Sequence, residues 1–353
     1  MVRHIKVAVI ITISLLSCWA ASAQVQFSNP TAFTTGTEPS VAITTTGLVL
    51  EVHQSGDETS FMFGQLSGQA VTWGPSKTFP WKMYNVRVNK MDVPGSSFVT
   101  LSYTGEPFGG GCFYRVASID TGAGLDGGLI WRTGEEKWGT CDYTLDSRIV
   151  FNSTNVVGVY SDSSHIFYRT GTFKASSARI TFPTDPVYLG EGRDVDVALS
   201  QTQIVEMNDK PGGILESRPA RNAASILQTV WGHSVHLPTN GFRGHATMYL
   251  KTNVGPGSVV AIYYKAPLGL YTMTGRYQYG RSADLPSIEW ISPEGQVFPR
   301  PVANSDLANT GTQVIEVHEY QGKIYYSVGA MPAPSVTQTS TSSTQDNSVP
   351  DGQ

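Results

Sequence analysis

The chain has 353 residues, with Lys+Arg 24 against Asp+Glu 28 and a formal charge of −4. That length can bury a large core, and the mildly acidic balance gives no electrostatic reason to bind nucleic acid or anionic lipid. With 36 Gly, 20 Pro and only 3 Cys, the composition argues against long helices and against a scaffold built from disulfides.

At the N-terminus, Arg3, His4 and Lys6 precede the apolar "VAVIITISLLSCWA", and Ala21-Ser22-Ala23 is a small-residue cleavage site. This predicts a secretory signal peptide over residues 1–23 rather than a membrane span. The mature chain is then expected to begin near Gln24, to carry a charge of about −6 once Arg3 and Lys6 leave, and to be extracellular without membrane insertion. Cys18 leaves with the leader, so Cys112 and Cys141 are expected to form one disulfide, two separate buried thiols being the alternative. Asn152-Ser153-Thr154 is a sequon, a glycosylation site if the source is eukaryotic.

From there the chain reads as short runs rich in Val, Ile, Thr, Tyr and Phe, broken by Gly, Pro, Asn and Asp, the signature of antiparallel strands. One unit, Pro39 to Phe79, divides into "SVAIT", "LVLEVHQ", "SFMFGQL" and "AVTWGPS". Weaker copies follow, beginning "NVRVNKM", "DSRIVF", "DVDVALS" and "HATMYLK"; a sixth has "QVIEVHEY" and "KIYYSVG" and lacks a fourth strand. An outer-strand aromatic marks the beat at Trp73, Trp131, Phe182, Trp231 and Trp290. The missing strand is supplied from the other end, where "VQFSNPTAF" aligns with "VTWGPSKTF" and sets Phe27 against Trp73. A spare strand at one end and a gap at the other predict a closed ring: an all-β, six-bladed β-propeller of four-stranded antiparallel blades over residues 24–331, closed by the N-terminal strand. Residues 332–353, rich in Ser, Thr, Gln and Pro, are expected to be a disordered tail.

The strings "EPSVAI", "LEVHQSG" and "VTWGPS" resemble the repeats of secreted, lectin-like β-propeller proteins of bacteria and lower eukaryotes, in which PSVA, EVHQS and ITWG elements recur. The likeness is fullest in the first unit, partial in the sixth and weak between. It implies the fold, while function has to be argued from the site.

Two sets of residues could carry chemistry. Alignment of the inner strands places Ser40, Asn85, Asp146, Asp196 and Ser305 on one level of the central channel, with Ala42, Arg87, Arg148 and Ala198 on the next; Asp194 shares a face with Asp196. Arginines near carboxylates around one axis make either a funnel that grips a sugar or acidic group, or a set of mutually satisfied ion pairs. Arg87, Arg148 and Arg243 invite comparison with sialidases, yet the Ser-x-Asp-x-Gly-x-Thr-Trp box of that family is missing. A glycan hydrolase would use Asp146 with Asp194 or Asp196 as its carboxylates. The second-strand column sets His53, Tyr103, Tyr160, Asn208, Tyr263 and His318 in equivalent places, near Phe63, Tyr114, Tyr168 and Tyr326; such residues either bind sugar between blades or form the blade-to-blade core. Asn85, Arg87 and Arg148 complete the candidate ligand set. No calcium loop, zinc pattern, phosphate loop or nucleophile elbow occurs, and His233 and His236 read as a surface loop, so no metal or cofactor is expected. The leading expectation is a noncatalytic binder of glycans or glycoproteins, against a glycan hydrolase in the funnel or a protein-interaction scaffold.

Overall fold

The computed structural model describes residues 24–93, 96–105, 110–141, 146–152, 154–200, 203–222, 228–237, 242–249, 257–278 and 285–331; of Phe242–Tyr249 only the backbone is described. The signal peptide, the tail and the Arg243 side chain lie outside these residues.

Six antiparallel sheets are present. Blade 1 comprises Thr37–Ile43, Leu48–Ser55, Glu58–Ser67 and an outer pair, Ala70–Trp73 with Lys77–Thr78. In blade 2 the order is Tyr84–Val93, Ser96–Thr104, Cys112–Ile119, then Leu129–Trp131 with Glu136–Gly139. Blade 3 runs Ser147–Asn152, Asn155–Asp162, His165–Lys174, then Arg179–Thr181 with Val187–Glu191. For blade 4 the strands are Arg193–Ser200, Gln203–Lys210, Ile214–Asn222, then Thr229–Trp231 with Val235–His236. Blade 5 has Phe242–Tyr249, Gly257–Lys265, Gly269–Gln278 and a single long outer strand, Ser287–Phe298. Blade 6 has Ser305–Asn309, Gln313–Tyr320 and Lys323–Ala330, and Thr31–Thr35 from the N-terminus is its outer strand. The ring therefore closes as the repeat pattern predicts, with Thr31 opposite Tyr326 and Phe27 bridged to Gly329.

The outer strands hold a feature that alternation does not reveal. In blades 1 to 4 the fourth strand is broken in two, both pieces pairing with the third strand. The break in blade 1 falls at Gly74-Pro75-Ser76, and a Cβ at Gly74 would lie 2.4 Å from the Leu125 carbonyl of the neighbouring blade. At Gly232 a Cβ would lie 2.1 Å from the Pro286 carbonyl. The glycine after each of these tryptophans is thus set by backbone passing close against it. His236, expected in a loop, belongs to the second half of such a strand.

Six apolar clusters are present, one between each pair of adjacent blades. The outer aromatics cover small residues of the third strand: Trp73 opposes Gly64, Trp131 opposes Ala117, Trp231 opposes Ala220 and Trp290 opposes Gly275. Side chains of alternate strand positions point to opposite faces, so every blade feeds two of these clusters. Cys112 and Cys141 form a disulfide with Cα atoms 5.3 Å apart, tying the third strand of blade 2 to the end of its split outer strand.

Candidate functional site

Inner strands enter the channel through β-bulges. Register shifts lie between Thr37/Ser40, Tyr84/Arg87, Arg193/Asp196 and Phe242/Gly244. Each inserts a residue that simple residue counting misses. Glu38, Asn85 and Asp194 sit at these bulges with φ of 53°, 48° and 50°, in the left-handed region.

The bulges correct the expected levels. Pairing with the second strand puts Ser40, Arg87, Arg148, Asp196 and Asp306 on one level, opposite Val52, Ser102, Val159, Met207 and Val317. Asn85, Asp146 and Asp194 lie two residues earlier, at the mouth, and Ser305 lies off this level. Asp306, which counting overlooked in favour of its neighbour Ser305, is the hub. Its carboxylate accepts from Ser40 Oγ at 2.5 Å, from the Val41 N–H at 3.0 Å and from Arg148 Nη1 at 2.7 Å. Arg148 also bonds Asp196 at 2.8 Å and donates from Nε to Asn89 Oδ1 at 3.1 Å. Arg87 holds Asp146 by two bonds, at 3.0 and 2.9 Å.

Arg148, Asp196, Asp306, Ser40 and Arg87 are all buried. Blades 3 and 6 face each other across the ring, so the Arg148–Asp306 pair crosses the axis and plugs it. Burial alone would lower the Arg148 pKa, and the attraction of Asp196 and Asp306 more than offsets it. Beside the plug, burial raises the Glu38 carboxyl above its ordinary range, with Arg87 opposing the shift and Asp146 adding to it. Asn85 turns back to its own blade, donating to Thr104 Oγ1 at 3.4 Å, and Asp194 is half-buried.

In the second-strand column the register confirms the equivalence of the six positions, which flank Val52, Ser102, Val159, Met207, Ile262 and Val317. His53, Tyr103, Tyr160, Tyr263 and His318 are at most 2% exposed, so none offers its ring to solvent. His53 Nδ1 lies 2.9 Å from Glu51 and His318 Nδ1 lies 2.8 Å from Glu316, both glutamates on the same strand face two residues back. Asn208 makes the corresponding bond to Glu206 at 2.8 Å. The repeated Glu-Val-His is thus a buried polar pair, with Tyr in its place in blades 2, 3 and 5. Burial raises the Glu51 carboxyl and pushes Glu206 up to about 8. Asn152 ends the inner strand of blade 3 and is half-buried; Ser153 of the sequon lies outside the described residues.

From this column Tyr103 reaches a partly open place. Its hydroxyl donates to Glu135 at 2.7 Å and accepts from Arg115 Nε at 3.0 Å. Burial and the Glu135 bond raise its pKa. Arg115 Nη2 lies 3.7 Å from Glu135, and its guanidinium lies 4.0 Å from the ring centre of Trp81, which meets Trp131 edge-on at 5.1 Å. The Glu135 side chain is 47% exposed, and both indoles are half-buried. Where the linker from blade 1 meets blade 2, the surface therefore presents a carboxylate and two half-buried indoles around a guanidinium held in place. Arg169 and Arg218 occupy the same third-strand position in blades 3 and 4. Arg169 gives its fork to the carbonyls of Trp138, Phe182 and Thr184, while Arg218 donates to that of Leu189 and lies 3.9 Å from the buried carboxylate of Glu216. The recurring "FYR" of the third strands was the signal for Arg115; Trp81 lies in a linker, where no repeat marks it.

No family model and no curated protein matches the sequence. Among solved structures, a protein of unknown function from Dyadobacter fermentans superposes with a TM-score of 0.54 at 12% identity, over 87% of this chain and 99% of that one. The six-bladed fungal lectin of Aleuria aurantia, described with its fucose recognition, gives 0.53 at 10% identity, over 85% and 96%. The PQQ-bound aldose sugar dehydrogenase of Streptomyces coelicolor gives 0.51 at 11% identity, over 87% and 99%. At such identities the similarity is one of fold.

Proposed function

We propose that this protein is a secreted, noncatalytic carbohydrate-binding propeller, and that its glycan site is the surface around Arg115, where the linker from blade 1 meets blade 2. The observation that carries this reading is Arg115, whose carboxylate neighbour Glu135 is 47% exposed, while the equivalent Arg169 caps backbone carbonyls and Arg218 faces a buried glutamate. Stacked on Trp81, the guanidinium presents donors in a fixed plane. Glu135 accepts from sugar hydroxyls, and the C–H face of the sugar packs on the exposed part of an indole face. Sugars also figure in the descriptions of two fold neighbours, the Aleuria lectin and the Streptomyces dehydrogenase. The disulfide agrees with an exported chain.

A glycan array with the mature chain tests this. Arg115→Ala is expected to weaken the best glycan by about tenfold to a hundredfold, the scale of a lost charge-assisted contact. Unchanged binding in a folded Arg115→Ala variant would sink this assignment.

A second reading places a glycan hydrolase at the upper mouth, where the raised carboxyl of Glu38 lies beside the Arg87-paired Asp146. A carboxyl raised by burial next to a carboxylate held by an arginine is the kind of pairing such chemistry uses. Product release from a chromogenic glycoside panel, lost in Glu38→Gln, would favour it over the lectin reading.

A further inference from the structure

Below the plug, toward the ends of the inner strands, the channel opens into a cavity of about 110 Å³. Its walls include Val41, Ala42, Val150, Ala198 and Ala308, with Asn89, Lys90, Arg148 and Asn309 as polar members. The space exists for a sequence reason. Two residues beyond Ser40, Asp196 and Asp306, the inner strands of blades 1, 4 and 6 carry Ala42, Ala198 and Ala308, so three side chains that could fill the axis are methyls.

On the same level blade 2 carries Asn89, which is 8% exposed. Its Oδ1 accepts from Arg148 Nε, and that bond fixes the amide, because the flipped form would set two donors face to face. The Nδ2 group is left buried on the cavity wall with no hydrogen-bond partner among the described residues. A native buried donor without a partner needs an explanation, and an acceptor delivered by a ligand is one. The guanidinium on this wall, Arg148, is already held by Asp196 and Asp306. It therefore offers no unmatched charge to offset the desolvation of an anionic ligand, and an uncharged acceptor avoids that cost.

We infer that this lower vestibule binds an acetamido group, as carried by N-acetylated sugars. The carbonyl oxygen accepts from Asn89 Nδ2 and the methyl packs against the three alanines and Val150. An isolated small amide fits the volume, and the open side leaves room for a sugar ring attached to it. This site lies on the axis and is independent of the surface at Arg115.

The test is a chemical-shift NMR titration of the mature chain, read at the Asn89 carboxamide, with acetamide, N-acetylglucosamine and glucose as probes. Acetamide and N-acetylglucosamine are expected to shift that signal, and glucose, with the same ring but no acetamido group, to bind at least about tenfold more weakly. Ala198→Leu should abolish the response by filling the space, and Ala308→Val serves if that variant does not fold. The inference is overturned if acetamide leaves the Asn89 signal unmoved, if glucose matches N-acetylglucosamine, or if the response survives in the folded cavity-filling variant. Because the readout is on the axis, a null here and a null at Arg115 are separate results.

Discussion

Arg148 on the axis and Arg115 near the surface carry the same guanidinium into opposite circumstances. Arg148 is buried and holds Asp196, Asp306 and Asn89 of its own chain. Arg115 bonds Tyr103, lies near a Glu135 that is 47% exposed, and stacks on an indole. The first satisfies charges that ring closure forces together; the second leaves an exposed carboxylate and part of an indole face for something outside the chain. The difference lies in the partners' exposure, a property that residue type does not encode.

The sharpest way to break this contrast is to remove the buried member. Arg148→Met leaves Asp196 and Asp306 as uncompensated buried carboxylates, and denaturant unfolding should show a loss of about 3–5 kcal/mol. Adding Asp196→Asn and Asp306→Asn should recover most of it, since the penalty belongs to the unpaired charges. Arg115→Ala, by contrast, removes a partner from an exposed carboxylate and should change stability by about 1 kcal/mol or less while glycan binding falls. If the two variants lose stability equally, the distinction between plug and surface site fails.

Next in size is the disulfide. Replacing Cys112 and Cys141 by Ala releases a loop of sequence separation 29, worth about 3.6 kcal/mol in the unfolded chain. The same clamp supports the blade 2 strand that carries Arg115, so binding should weaken along with stability. Stability lost with binding untouched would detach the clamp from the site at Arg115.

An effect seen only as pH changes separates a sealed inter-blade polar cluster from the open one. Glu206 is buried and its carboxyl is pushed from 4.5 up to about 8. Because the folded state holds this proton more tightly than the unfolded state, the associated stability is full below about pH 4.5 and is lost as pH rises through about 8. Glu206→Gln should therefore stabilise the protein at pH 9 relative to wild type and do little at pH 4. Melting curves at the two pH values check it, and the reverse order would show that Glu206 is ionised in the fold.

Much of the architecture was legible in the sequence because each blade repeats one local device. Turns carry Gly or Pro, and an outer aromatic, Trp in four blades and Phe182 in blade 3, marks the fourth strand. Glu-Val-His recurs at His53 and His318 because these are equivalent positions in blades that meet at the ring closure. What counting could not reach was anything that adds a residue without changing the pattern. The bulges at Glu38, Asn85 and Asp194 shifted the inner-strand levels and hid Asp306. Trp81 and Glu135 lie outside the regular repeat, so the surface they form with Arg115 needed coordinates. Burial of His53, Tyr160, Tyr263 and His318 was equally unreadable, since a polar or aromatic residue on a half-buried strand looks the same whether it faces a seam or water.

The strand Thr31–Thr35 pairs with Lys323–Ala330, so the first described strand of the chain is hydrogen-bonded to the last. During synthesis that pairing has to wait for almost the whole polypeptide, and a growing chain carries an unpaired β-edge for all of that time. Until Lys323–Ala330 is covered, its open edge is the place where a second copy could add a strand of its own. A protein closed in this way has to keep two distant segments apart from neighbours until they meet each other, so its yield should respond more to chain concentration than to the stability of the finished ring.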